Sequence, residues 1–183
     1  MRRLVLACLA LALLPACGRE PQPIEPTSNL PTTHAANYHA PTGTPTPPAL
    51  PKIARRKDAT GAANFVLYWV DVSNYAAVTG DTKLLRTISD PRCDGCNRYI
   101  HLYEKTYAAG GYIEGGTDHL DAISTELGTS ETFVRARVNS THGQFKASRK
   151  AEAEKTPAES TTIVFAVRQS VRGWSMTQIG LDR

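Results

Sequence analysis

No apolar run in this 183-residue chain is long enough to cross a bilayer. The longest, residues 4–14, holds eleven residues, where about 20 are needed. An excess of one charge is also missing where a folded domain would use it. The formal net charge is +4, but Arg2 and Arg3 stand at the very start, and Lys52, Arg55, Arg56 and Lys57 form one cluster. From Asp58 onward there are 14 Lys and Arg against 15 Asp and Glu. A near-neutral domain with no basic stripe and no nucleic-acid module excludes nucleic acid as the expected partner.

Catalytic signatures are absent as well. The chain has no GxSxG, HExxH, phosphate-binding loop or dinucleotide fingerprint. Zinc needs about four ligands, and His101, His119 and His142 are isolated, with no second Cys or His pair at ligand spacing. No metal and no cofactor is expected. Asp118-His119 is the one adjacent acid and imidazole in the later half, yet neighbouring strand residues point to opposite faces. A dyad of Asp118 or Asp121 with His101 is the remaining acid–base arrangement. The expectation is a protein that is not an enzyme.

What is present begins at the N-terminus. Met1-Arg2-Arg3 is a short basic start, followed by the apolar run and by LLPACGRE at 13–20, the layout of a secretory signal. The end of that run resembles the bacterial lipobox, with Leu14 three residues before Cys17, Ala16 just before it and Gly18 after it. The resemblance implies cleavage before Cys17 and diacylation of its thiol, palmitate being a typical chain. Each buried methylene contributes about 0.8 kcal/mol, so two chains anchor firmly where one does not. Residues 1–16 are then a signal peptide, and 17–57 a lipidated cysteine with a disordered linker. Nine of the twelve prolines fall in 18–51, a composition that cannot offset its own ordering entropy. The basic cluster at its end either leans on anionic lipid or is simply solvated. Residues 58–183 are read as a single domain on the outer face of the cytoplasmic membrane, held by lipid.

Within that domain, Phe65, Trp69, Val72 and Ala76 recur at helical spacing. Gly80 suits the exit from this helix and Asp81 the cap of the next. DTKLLRTIS reads as a short helix burying Leu84, Leu85 and Ile88. CDGCNRYIHLYEKTYAAGG is a third, carrying Cys96, Tyr99, Ile100, Tyr103 and Tyr107 on one face and ending at Gly110-Gly111, with Asp90-Pro91 as its expected start. TFVRARVNS alternates Val134, Ala136 and Val138 with polar residues, the mark of a half-buried strand. TTIVFAVRQSV and GWSMTQIGL form a hairpin about Arg172-Gly173. TDHLDAISTEL is a weaker strand, and residues 148–160 read as a long hairpin loop with a helical turn. The predicted fold is α+β, with three N-terminal helices packed on a curved antiparallel sheet of about four to six strands.

The stretch GAANFVLYWVDVSNYAAVTGDTKLLRTISDPRCDGC is similar to a family of uncharacterised actinobacterial lipoproteins that share the lipobox, the Pro-rich tether and the Cys-x-x-Cys. The order of three helices then strands resembles the nuclear transport factor two-like (cystatin-like) cone. That family has no assigned activity, so the resemblance implies location and fold and no reaction.

With Cys8 removed in the signal and Cys17 acylated, Cys93 and Cys96 remain together outside the reducing cytosol, where a disulfide is expected. A redox centre is the sharper alternative, since a Cys-x-x-Cys at a helix start has a stabilised thiolate. The motif here follows helices rather than a strand, and Asp94 opposes a thiolate. Trp69, Tyr99, Tyr103 and Tyr107 are the candidate pocket or interface residues. Two functions compete: a module binding a small apolar ligand, and an envelope protein that docks a partner or forms a homodimer through its sheet. A cone-fold enzyme or a thiol–disulfide protein using Cys93 and Cys96 is the alternative to both.

Overall fold

The computed structural model describes residues 45–181. The signal-like stretch, Cys17 and most of the proline-rich segment lie outside the described residues. Just before the domain, Leu50 and Ala54 pack against its core. Lys52–Arg55 form a 3-10 helix with Ala54 buried, and the Trp174 indole Nε1 donates to the Arg56 carbonyl at 2.8 Å.

The first helix, α1, runs Ala59–Thr79. Asp58 caps it by accepting from the Gly61 N–H at 2.9 Å, and Gly80 leaves it at φ 73°, a conformation glycine adopts without steric cost. Phe65, Trp69, Val72 and Ala76 are all buried, as their spacing predicts. Ala62, Val66 and Tyr68 are buried too, because α1 is covered on more than one side. The one-turn helix α2, Lys83–Thr87, buries Leu85 fully, with Leu84 and Ile88 packed against the core. Its cap position is Thr82 rather than Asp81, and Asp81 instead accepts from the Lys83 N–H at 3.2 Å. Helix α3 spans Asp94–Ala108.

Seven strands follow: β1 Tyr112–Gly115, β2 Asp118–Leu127, β3 Thr132–Ser140, β4 Gly143–Lys146, β5 Glu154–Thr156, β6 Glu159–Ser170 and β7 Gly173–Leu181. They form two antiparallel sheets, β1-β4-β5 and β2-β3-β6-β7. The expected architecture is therefore corrected. The content is α+β, but the three helices sit in mid-chain at 59–108 and not at the N-terminus. The strands make two sheets, of three and four strands, rather than one curved sheet of four to six. The reason is length. β1, β4 and β5 contain four, four and three residues, too few to display an alternation, and β5 lies inside the segment 148–160 that reads as loop.

The four-stranded sheet turns Val134, Ala136, Phe165, Val167 and Met176 inward, where they join α1, Leu85, Cys96 and Ile100 in one hydrophobic cluster. Arg135 and Arg137 alternate outward. The connection from α2 to α3 lies along β7: Met176 N–H donates to the Ile88 carbonyl at 2.9 Å, and Asp90 N–H donates to the Met176 carbonyl at 2.7 Å. No described helix is long and apolar enough to cross a membrane.

Candidate functional site

A cavity of about 200 Å³ opens between α1, α3 and the inner face of the four-stranded sheet. Helix α1 contributes Trp69, Val70 and Ser73, one turn of wall, and α3 contributes Tyr99. The sheet supplies Asp118, Val138, Ser140, Phe165 and Ile179, with Glu159 and Thr161 near the start of β6. Apolar and polar groups line it in similar measure. Asp118 and Glu159 are its charged members, and no Lys, Arg or His is among the lining residues.

The position of Asp118 is fixed from both sides. Asn74, buried on α1, donates through Nδ2 to the Asp118 carbonyl at 2.9 Å and accepts from the Asp118 N–H through Oδ1 at 3.0 Å. The Asp118 carboxylate accepts from the Ser140 hydroxyl across the β2–β3 pair. Burial pushes its carboxyl above the usual range, and the Ser140 hydrogen bond and the charge of His119 only partly offset this. Burial also raises the Tyr99 phenol, to which the Asp118 charge adds. Deeper in, the Tyr103 hydroxyl and Ser73 Oγ share a hydrogen bond of 3.1 Å, and burial pushes that phenol strongly upward.

Of the four aromatic candidates, the cavity brings together Trp69 and Tyr99, whose rings meet edge-on at 6.0 Å between centroids. Trp69 is 2% exposed and belongs to the core, its Nε1 donating to Ser89 Oγ at 2.9 Å. Tyr103 stacks obliquely on Tyr99 at 6.2 Å and reaches the site through Ser73. Tyr107 serves elsewhere: its hydroxyl donates to the Ala77 carbonyl at 2.8 Å and its ring closes over Gly80, where a Cβ would lie 2.5 Å from it. Neither acid–base dyad assembles. His101 is exposed on α3 and is not among the residues that line the cavity. Asp121 is exposed and tied to Arg137 at 2.7 Å and to Asn139 at 3.1 Å. His119 acts electrostatically on Asp71 and Asp118. Among the described residues, no group of three or more His, Cys, Asp or Glu could hold a metal.

Cys93 and Cys96 are joined by a disulfide, S–S 2.04 Å. Both are fully buried, and Cys93 itself caps α3, its Sγ accepting from the Cys96 N–H at 3.2 Å. The helix therefore starts later than Asp90-Pro91 suggests. Asp90 instead pairs with Arg92 at 3.2 Å and Arg168 at 3.6 Å, and the Arg92 hydrogen bonds hold its carboxyl below the usual range. An attacking thiol needs access to the sulfur it exchanges with, and this buried pair offers none in the folded state.

The model of the Family of unknown function (DUF6318) matches residues 33–179. The chain belongs to that family. Its match begins inside the proline-rich segment, upstream of the first described residue. No curated protein matches the chain. Among solved structures, the intermembrane space region of the chloroplast protein ARC6 is similar at a TM-score of 0.50 and 16% identity, over 69% of this chain and 97% of that one. At that identity the likeness is one of fold alone. An NTF2-like family protein from Streptomyces avermitilis is similar at a TM-score of 0.37 and 15% identity, over 66% of this chain and 91% of that one, a likeness too slight to carry a conclusion.

Sequence reasoning missed Ser73, Asn74, Ser140, Glu159 and Thr161. The available signal was the Ser73-Asn74 pair within the largely apolar run from Phe65 to Val78. The described residues also form other hollows. A groove of about 310 Å³ between Leu102, Ile179 and Leu181 is largely apolar. A hollow of about 360 Å³ near Arg86 and His101 includes Asp90, already paired.

Proposed function

We propose that this chain is a lipid-anchored cell-envelope protein that holds a small ligand in the cavity beside Asp118, and that it does so without catalysing a reaction. The carrying observation is a desolvated carboxylate, clamped by Asn74, in a cavity that also presents hydroxyls and aromatic rings. An orienting polar group over apolar walls is the usual makeup of a small-molecule site. The anchor is supported by the basic start, the short apolar run and the lipobox-like residues ending at Cys17. The reading without catalysis is supported by the lining itself, which carries Asp118 and Glu159 and no imidazole beside them. The buried disulfide fits a structural brace at the start of α3 and not an exchange centre.

A fragment library observed through the protein's own amide signals tests the binding reading. Hits are expected to perturb Tyr99, Ser140 and Thr161, and Val138→Phe, which fills the cavity, should abolish them. Binding that survives Val138→Phe, or no hits at all, refutes it. Cys17→Ala is expected to stop palmitate incorporation and release the protein from membranes, and a mutant that stays on the membrane refutes the anchor. One observation favours a second reading. Leu102 and Leu181 are 44% and 67% exposed beside the apolar groove, which suits an envelope partner or a second copy. Hits confined to Leu102 and Leu181 would move the function there.

A further inference from the structure

The cavity beside Asp118 has a charge character that its size and hydrophobicity alone do not convey. Two carboxylates line it, Asp118 inside and Glu159 at the exposed rim, and no basic side chain does. In most protein sites a desolvated carboxylate is matched by a cation, because burying unpaired charge is costly. Here the hydrogen-bond partner contributed by the described protein is a neutral hydroxyl, Ser140, and His119, which is not among the lining residues, acts on the carboxylate only through its charge. Two arginines of the large sheet are committed to other acids: Arg137 to Asp121 and Arg168 to Glu131, each at 2.7 Å.

The walls agree with that charge. Trp69, Tyr99 and Phe165 bring three aromatic rings to one small space, and aromatic rings are the apolar groups that also attract a cation. The volume sets the size. About 200 Å³ lies below the roughly 300–1,000 Å³ of pockets for drug-sized ligands, so the occupant is a fragment-sized molecule.

We propose that the cavity takes a small organic cation, an ammonium group carried on a compact apolar body, with the charge at Asp118 under Glu159 and the body against Trp69, Tyr99 and Phe165. This names the ligand class for the binding site proposed above and rests on that reading. Ser73 lines the same wall and is bonded to Tyr103 behind it, while Asn74 fixes the Asp118 backbone and Ser140 holds its carboxylate.

The test uses three probes of one shape and different charge on the full chain: cyclohexylmethylamine, cyclohexylmethanol and cyclohexanecarboxylate. Affinities are read by amide-shift titration at pH 7. The amine is expected to bind at least about ten-fold more tightly than the alcohol, the scale of one charge-assisted hydrogen bond, and the carboxylate not to bind measurably. Asp118→Asn should remove that preference while leaving the alcohol's affinity unchanged, and the rim variant Glu159→Gln, on an exposed side chain, should weaken the amine by about two- to three-fold. If the alcohol binds in the cavity as tightly as the amine, or Asp118→Asn and Glu159→Gln both leave the amine's affinity intact, the cation assignment is overturned and the cavity remains a binding site. If none of the three perturbs Tyr99, Ser140 or Thr161, the cavity reading falls together with the cation.

Discussion

Removing the Asn74 side chain is the most informative single perturbation of this fold. Asn74 is 6% exposed and makes two hydrogen bonds to the backbone of Asp118, 44 residues away. Each contributes about 1 kcal/mol net, and the Asp118 amide and carbonyl left without partners cost about 1–2 kcal/mol more. Alanine returns about 0.6 kcal/mol through its better helix propensity. Asn74→Ala should therefore destabilise by about 3 kcal/mol. With a urea m-value of about 2 kcal/mol/M, the midpoint falls by roughly 1.5 M while m stays constant. The control is Asn64→Ala on the same helix, whose Nδ2 bonds only the Thr60 carbonyl one turn back at 2.8 Å. That loss is nearly offset by the propensity gain, so its midpoint should hardly move. Amide exchange at Asp118 should accelerate in the first variant and not in the second. A loss under about 1 kcal/mol for Asn74→Ala, with Asp118 exchange unchanged, would refute the clamp.

Asp71 provides a pH test. Burial pushes its carboxyl up to about 6, partly countered by the charge of His119. An acid whose folded pKa lies above its unfolded one makes the native state bind more protons. Stability then declines as pH rises from about 4 to 6 and is level above that. The full displacement corresponds to roughly 3 kcal/mol, which solvent screening of this partly exposed group reduces to about 1 kcal/mol. Asp71→Asn should flatten that slope and gain about 1 kcal/mol at pH 7, and a carboxyl titrating near 4 by NMR would contradict it. Gly95→Ala places a Cβ 2.7 Å from the Ile179 carbonyl oxygen, so the start of α3 must lift from β7 at a cost of about 1–3 kcal/mol. A stabilised variant, the outcome helix propensity alone favours, would show that contact to be soft. Reducing the Cys93–Cys96 bridge should cost about 2 kcal/mol by loop entropy. Because both sulfurs are buried, dithiothreitol should act only as fast as the protein opens, and rapid reduction of the folded protein would overturn that.

The parts of the fold that were legible are those whose pattern is long enough to repeat. Phe65, Trp69, Val72 and Ala76 mark α1 because four turns bury one face against the same core, and Val134 and Ala136 mark β3 in the same way. The small sheet was illegible because β1, β4 and β5 each offer only one or two inward residues. The start of α3 was misplaced because Asp90 satisfies the composition of a cap, while its side chain is taken by Arg92 and Arg168. Periodicity put Tyr99, Tyr103 and Tyr107 on one helical face without showing that three different partners await them. The cavity itself had no local signal, since residues from 69 to 179 meet there only after the sheet is assembled.

The strip of chain from Ile88 to Asp90 that lies along Met176 also settles how the large sheet ends. An uncovered edge strand invites another strand to add on. Along the middle of β7 the backbone groups are already engaged by the molecule's own chain. On the opposite flank, β2 slips register between Asp121 and Ser124 and carries Ala122 at φ 48°, so it presents no continuous ladder to a newcomer. Neither flank of the large sheet thus offers copies crowded side by side an unbroken template for strand addition.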